Sequence, residues 1–261
     1  MLLVTLFYLF NFNTPQVYDA IEYKGQSYSL IGASPLESYL YEKGVEETIL
    51  KNGFNTACWR GFVAQWKVKD EHLLLTDLVS CGNNENLFTP EFLSSIGLKY
   101  DSTGVPFPYF NGDLLLGRNP ISTPYFMEAL FKEEVALSIK DGVVSESEEF
   151  DNSRTYISSY EGDIDEFSRI LIWNLDTTDF DLSKTERFAV AISSGNHEKP
   201  ISKVEILKSS NEQLNPAIEA AILEFPEWSV IYQKGKVTSH KVAIYLTINR
   251  EVVSKFKFER H

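Results

Sequence analysis

Eight residues near the end of the chain alternate without a break. Val242, Ile244, Leu246 and Ile248 fall on one side, and Lys241, Ala243, Tyr245 and Thr247 on the other. A period of two sends successive side chains to opposite faces of a strand, so this segment folds as a strand with one apolar face. The same rhythm recurs upstream, where Phe62, Ala64, Trp66 and Val68 oppose Gln65, Lys67 and Lys69. Asp70-Glu71 then turns the chain into His72-Leu73-Leu74-Leu75. Further turns are predicted at Lys24-Gly25, at Asn111-Gly112-Asp113 and at Lys140-Asp141-Gly142. Glycine at such positions supplies the positive φ that tight hairpins need. The Asn111 turn is expected to join Pro108-Tyr109-Phe110 to Leu114-Leu115-Leu116. Helices fit before residue 150 only at Glu37–Leu50 and Glu91–Ile96. With 18 Phe and 13 Tyr favouring strands, the expectation is an α+β chain dominated by antiparallel sheet.

At 261 residues the chain suffices for one large domain or two ordinary ones. Its net charge of −13 is unevenly spread. Residues 188–261 carry ten basic and eight acidic side chains, leaving fourteen basic and twenty-nine acidic in the rest. An acidic body repels phosphate backbones and anionic headgroups, which argues against nucleic acid as a partner. Residues 151–186, with "VVSESEEFDNS" running into them and "DTTDFDLSKTE" at their end, are expected to be an acidic linker or flank. Within them Phe167 to Leu175 is apolar enough for a buried strand.

The opening stretch MLLVTLFYLF is apolar except for Thr5. It is too short for a membrane span, which needs roughly 20 residues, and matches the apolar core of a signal peptide covering residues 1–16. A first strand, or an incorrectly chosen start codon, is the competing reading. Cys58 and Cys81 belong to no CxxC motif. They read as two buried, unpaired small hydrophobes, with a loop-closing disulfide as the alternative.

In the last quarter, Arg187 to Ser193 reads as a strand, Gly195-Asn196 as a turn and Ile201 to Leu207 as a second strand. Asn215-Pro216 is expected to cap and start a helix carrying Ile218, Ala221, Ile222 and Phe225 on one face. Pro226 ends it, Trp228 follows, and Lys234-Gly235-Lys236 turns the chain into the long alternating strand. A last strand is expected over Val252 to Phe258. The order strand, strand, helix, Pro-x-Trp, Gly-Lys turn, long strand, with "AIEAAILEFPEW", "KGKV" and "VAIYLTIN", resembles the C-terminal domain of TonB-family proteins. The Tyr-Pro opening usual before the first strand is missing. Likewise "YKGQSYSL", "ASPLESYL", "TACWRGFVAQWKVKDEHLLLTDL", "YFNGDLLLG" and "VALSIKDGVV" resemble an uncharacterised family of small bacterial proteins to which no activity attaches. The resemblances imply a β-rich acidic domain over 17–150 followed by a small TonB-C-like domain over 187–261, an antiparallel sheet with one amphipathic helix.

That resemblance implies an interaction module that receives a protein or peptide by strand addition. The residues singled out for it are Val242, Ile244, Tyr245, Thr247, Lys255 and Lys257, on an edge formed by Val242–Asn249 or Val252–Phe258. The residues alone leave a second reading open, with both strands internal or shielded by Lys255 and Lys257.

No His spacing, P-loop, dinucleotide fingerprint or nucleophile elbow marks a catalytic, metal or cofactor site. The run Asp176 to Asp181 lacks the central Gly of a calcium loop. Trp59-Arg60-Gly61 is the most tempting functional group. Either Arg60 binds a carboxylate beside an aromatic, or Trp59 is core and Arg60 pairs with a surface acid. The expectation is a non-catalytic, cofactor-free protein-interaction protein of the bacterial periplasm or cell envelope. The alternative is a cytoplasmic immunity-type protein that neutralises a basic partner.

Overall fold

The computed structural model describes residues 17–45, 57–121, 129–161, 163–178 and 180–257. The expected signal peptide, the end of the Glu37–Leu50 helix and Phe258 lie outside them. The fold is β-rich and mixed α/β, with one large sheet. The described residues divide into two compact units, which meet in sequence at Asp151-Asn152.

The first unit contains β1 (Asp19–Tyr23), β2 (Gln26–Ile31), α1 (Pro35–Lys43), β3 (Phe62–Lys69), β4 (His72–Ser80), α2 (Pro90–Ser95), β5 (Val105–Pro106), β6 (Gly112–Ile121), β7 (Leu130–Lys140) and β8 (Val143–Asp151). These strands run in the order β3-β1-β2-β6-β7-β8-β4-β5, and β3 also pairs with β4 along its length. The sheet thus closes on itself through β4, although among the described residues β8 is paired on its second side only at Val143. The β4–β8 join is the narrowest, a single pair His72↔Val143 reinforced by Leu73 N–H to Gly142 O and Val144 N–H to Glu71 O. Trp66, Phe62, Phe107, Leu73, Leu75 and Leu78 fill the interior.

The turns at Lys24-Gly25, Asp70-Glu71 and Asp141-Gly142 fall where the sequence predicts, each with both central residues at positive φ. That twist matches the strands it joins. Gly142 has a second reason to be glycine, because a Cβ there would lie 2.3 Å from the Phe107 carbonyl oxygen. The predicted Asn111 hairpin does not form. Residues 108–109 turn, β6 starts at Gly112 and pairs with β2 and β7, and the Asn111 side chain instead accepts the Asp141 N–H.

Cys58 and Cys81 are joined in a disulfide, which corrects the expectation of two free thiols. They stand at nearly equal distances either side of the Asp70-Glu71 turn, so hairpin β3–β4 brings them together. Replacing both by Ser removes a constraint on the unfolded chain. For a loop of this size, the expected loss is about 3 kcal/mol in urea unfolding.

The second unit contains α3 (Ile164–Asn174), β9 (Glu186–Ser194), β10 (Ile201–Ser209), α4 (Asn215–Leu223), β11 (Ile231–Gln233), β12 (Lys236–Thr238), β13 (Lys241–Ile248) and α5 (Arg250–Lys257). Its sheet has the order β10-β9-β13, wholly antiparallel, and β11 and β12 form a separate hairpin. Phe188, Val190, Ile192, Val242, Ile244, Leu246 and Ile248 share one core with side chains of all three helices.

Three sequence expectations change here. Phe167 to Leu175 is helix α3, not a strand. Asp163 caps it by accepting the N–H groups of Asp165 and Glu166, and Phe167, Leu171 and Leu175 recur at helical spacing in the core. The stretch expected to be an acidic flank therefore supplies a core helix. Residues 252–257 are also helical, because the Asn249 side chain accepts the Val252 N–H and Val252, Val253 and Phe256 fall on one buried side. Asn215 is already inside helix α4. The helix has no side-chain cap, and Asn211 instead caps the preceding 3-10 turn by accepting the Gln213 N–H. Among the described residues no helix is long and apolar enough to cross a membrane.

Candidate functional site

Strand β13 lies at one edge of its sheet, with β9 on its inner side, and among the described residues no strand pairs with its outer side. The register runs from Lys241↔Ser193 to Ile248↔Glu186 without a bulge. Ser194 N–H donates to His240 O, and Ser210 N–H donates to Arg187 O on the far side of β9. Antiparallel ladders alternate. The peptide groups of Val242, Ile244, Leu246 and Ile248 therefore face β9, and those of Lys241, Ala243, Tyr245 and Thr247 face outward. An extended segment could bond to the second set.

The other edge strand, β10, is a poorer template. Its pairing with β9 is interrupted between Ile201 and Lys203 and again between Ile206 and Lys208, and both interruptions bring a lysine. Bulges and lysines are ordinary devices for blunting an edge.

The residues singled out from the sequence therefore separate into three groups. Val242 and Ile244 are fully buried, and their backbone is occupied by β9. Tyr245 and Thr247 are half-buried on the opposite face and belong to the outward set. Lys255 sits on α5 and pairs with Asp165 of α3 at 3.0 Å, so it guards no strand, and Lys257 is the last residue of the same helix. The alternative edge over Val252–Phe258 is accordingly withdrawn.

The outer face of the sheet near β13 is organised by Glu205 of β10, which accepts hydrogen bonds from Lys203 and Lys241. These bonds hold its carboxyl down to about 2. A carboxylate depressed below its unfolded value of about 4.3 adds stability above that pH and loses it as the pH falls toward 2. Carboxyl NMR should show Glu205 titrating near 2, and Lys241→Met should move it upward. A wild-type midpoint above 4 would exclude the arrangement.

A polar cluster at the start of β13 carries no signal in the sequence, because its members are far apart in the chain. Glu161, with its side chain wholly enclosed, meets His240 Nε2 at 3.1 Å and accepts the Ser229 N–H at 3.2 Å. Ser194 Oγ accepts the His240 N–H at 2.7 Å. The serine hydroxyls are taken up with backbone groups: Ser229 Oγ accepts the Ser158 N–H, and Ser158 Oγ accepts the Tyr160 N–H. This cluster fixes where the edge strand begins.

In the first unit, Arg60 meets the wholly enclosed Asp19 at 2.8 Å and also donates to the Val17 and Phe62 carbonyls. Trp59, by contrast, is 60 % exposed. Both parts of the blander sequence expectation are thus corrected: Trp59 is not core, and the partner of Arg60 is a buried acid. Among the described residues no group of three or more metal-ligating side chains converges. No family model matches the chain, and neither a curated protein nor a solved structure does so.

Proposed function

We propose that the chain is a non-catalytic protein-interaction protein of the bacterial cell envelope, and that its TonB-like second unit receives an extended segment of a partner along β13. The observation that carries this reading is a long, bulge-free edge strand whose alternate peptide groups point outward. Backbone hydrogen bonds would supply the affinity and the flanking side chains the selectivity. In the first unit β8 is paired on its second side only at Val143 among the described residues. Its pairing with β7, however, is interrupted between Ser138 and Ile139, and it carries Glu146, Glu148, Glu149 and Asp151, charges that blunt an edge. The Cys58–Cys81 disulfide supports a periplasmic location over the cytoplasmic immunity-type alternative, since such bonds persist in oxidising compartments.

The test is a titration of the isotopically labelled full chain with an extended octapeptide of alternating Thr and Val, flanked by charged residues for solubility. The amides of Lys241, Ala243, Tyr245 and Thr247 should shift first. Ala243→Pro should abolish the response with little effect on the unfolding midpoint, because proline is tolerated at edge positions whose N–H faces solvent. A response that survives Ala243→Pro would defeat the strand-addition reading.

A further inference from the structure

We infer that the segment received by β13 is acidic where it passes the C-terminal end of that strand, and that Arg187 and Arg250 read the acid. The inference rests on the strand-addition reading and specifies its partner. Arg187 lies on β9 directly opposite Thr247, the last outward-facing residue of β13. Arg250 begins α5 two residues after the strand ends. Both side chains are exposed, and among the described residues neither guanidinium has an ion-pair partner. Their backbones are nevertheless anchored: Arg187 N–H donates to Ser210 Oγ and Arg250 N–H to Leu182 O.

Several acids of this region are, among the described residues, already engaged. Glu186 is buried and accepts from Ser210 and Asn211. Asp181 pairs with Lys184, and Asp165 with Lys255. Lys241, at the opposite end of β13, pairs with Glu205, which it shares with Lys203. Glu251 is exposed on the helical position after Arg250, about 100° further round the helix. The end of the edge thus presents two arginines that lack counterions among the described residues, in a chain whose net charge is −13. Guanidinium groups bind carboxylates through paired N–H donors, so an Asp, a Glu or a terminal carboxylate on the incoming strand is the chemistry they fit.

The experiment compares two octapeptides with the same alternating Thr-Val centre, one flanked by Glu-Glu at both ends and one by Lys-Lys. Flanking both ends makes strand direction immaterial. Calorimetry on the full chain at low salt should give the Glu-flanked peptide at least about tenfold tighter binding, with the preference shrinking as salt is raised. The double variant Arg187→Gln, Arg250→Gln should bring the two peptides to within about twofold while the β13 amides still respond. Equal affinity of both peptides for the wild type would overturn the charge assignment and leave strand addition standing. Absence of any β13 response to either peptide would overturn both.

Discussion

Replacing Asp19 by Ala should cost the first unit about 3–5 kcal/mol, the range for removing one partner of a buried ion pair. Asp19 has no exposed surface, and its two oxygens accept from Arg60, from the Ala64 N–H at 2.9 Å and from Trp66 Nε1 at 3.0 Å. It is the first residue of β1, and all three donors lie in the segment that leads into and forms β3. The carboxylate therefore fastens the parallel β1–β3 pairing, which registers Ala20 with Gln65 and Ile21 with Trp66. Its loss leaves an indole N–H and a backbone N–H without their acceptor, and a largely buried guanidinium with no counter-charge and only the Val17 and Phe62 carbonyls. Asp19→Asn keeps the shape and one acceptor oxygen, and should recover part of the loss. In urea unfolding followed by tryptophan fluorescence, the Ala variant should show a lower midpoint at an unchanged slope. A change below about 1 kcal/mol would mean that Arg60 and Trp66 find other acceptors. The double variant Asp19→Ala, Arg60→Met should be milder than the sum of its parts, since it leaves no unpaired charge.

Trp228→Ala should cost the second unit a similar 3–5 kcal/mol through the cavity left behind. Trp228 is fully buried, with ring centroids 6.2 Å from Phe167 and 6.3 Å from Phe225. It therefore locks α3 and the end of α4 onto the sheet that bears β13. Its indole N–H finds no acceptor among the described residues. Trp228→Phe keeps most of the packing and removes a buried donor that is already unsatisfied. Its loss should be less than about half that of the Ala variant. A Phe variant as unstable as the Ala variant would show that the nitrogen is engaged after all. Because the two units have separate cores, each substitution should mark its own unit's transition.

Local chemistry made the turns and the long strands readable. A turn such as Lys24-Gly25 depends on the φ values of two residues, and the stripe Val242 to Ile248 fits no period but two. The α3 segment misled because Ile170 to Trp173 is apolar without a break, and periodicity cannot divide a buried strand from a buried helix in such a run. Only the capping bonds of Asp163 settle the matter. At α5 the same residues fit both periods, Phe256 between Lys255 and Lys257 for a strand, or Val252, Val253 and Phe256 for a helix. The bond from Val252 to Asn249 selects the helix.

The sequence by itself determined that Lys241 to Ile248 is a strand with Val242, Ile244, Leu246 and Ile248 inward, because side-chain direction in a strand is a local property. It could not determine which peptide groups stay open. That depends on where β9 lies, on the His240–Glu161 and Ser194 contacts that set the register, and on the interruptions that blunt β10. The pairing of Cys58 with Cys81, the enclosure of Asp19 by Arg60 and Trp66, and the meeting of Arg187 with the end of β13 arise in the same way. Each joins residues distant in the chain, and only the folded sheet brings such residues within reach of one another.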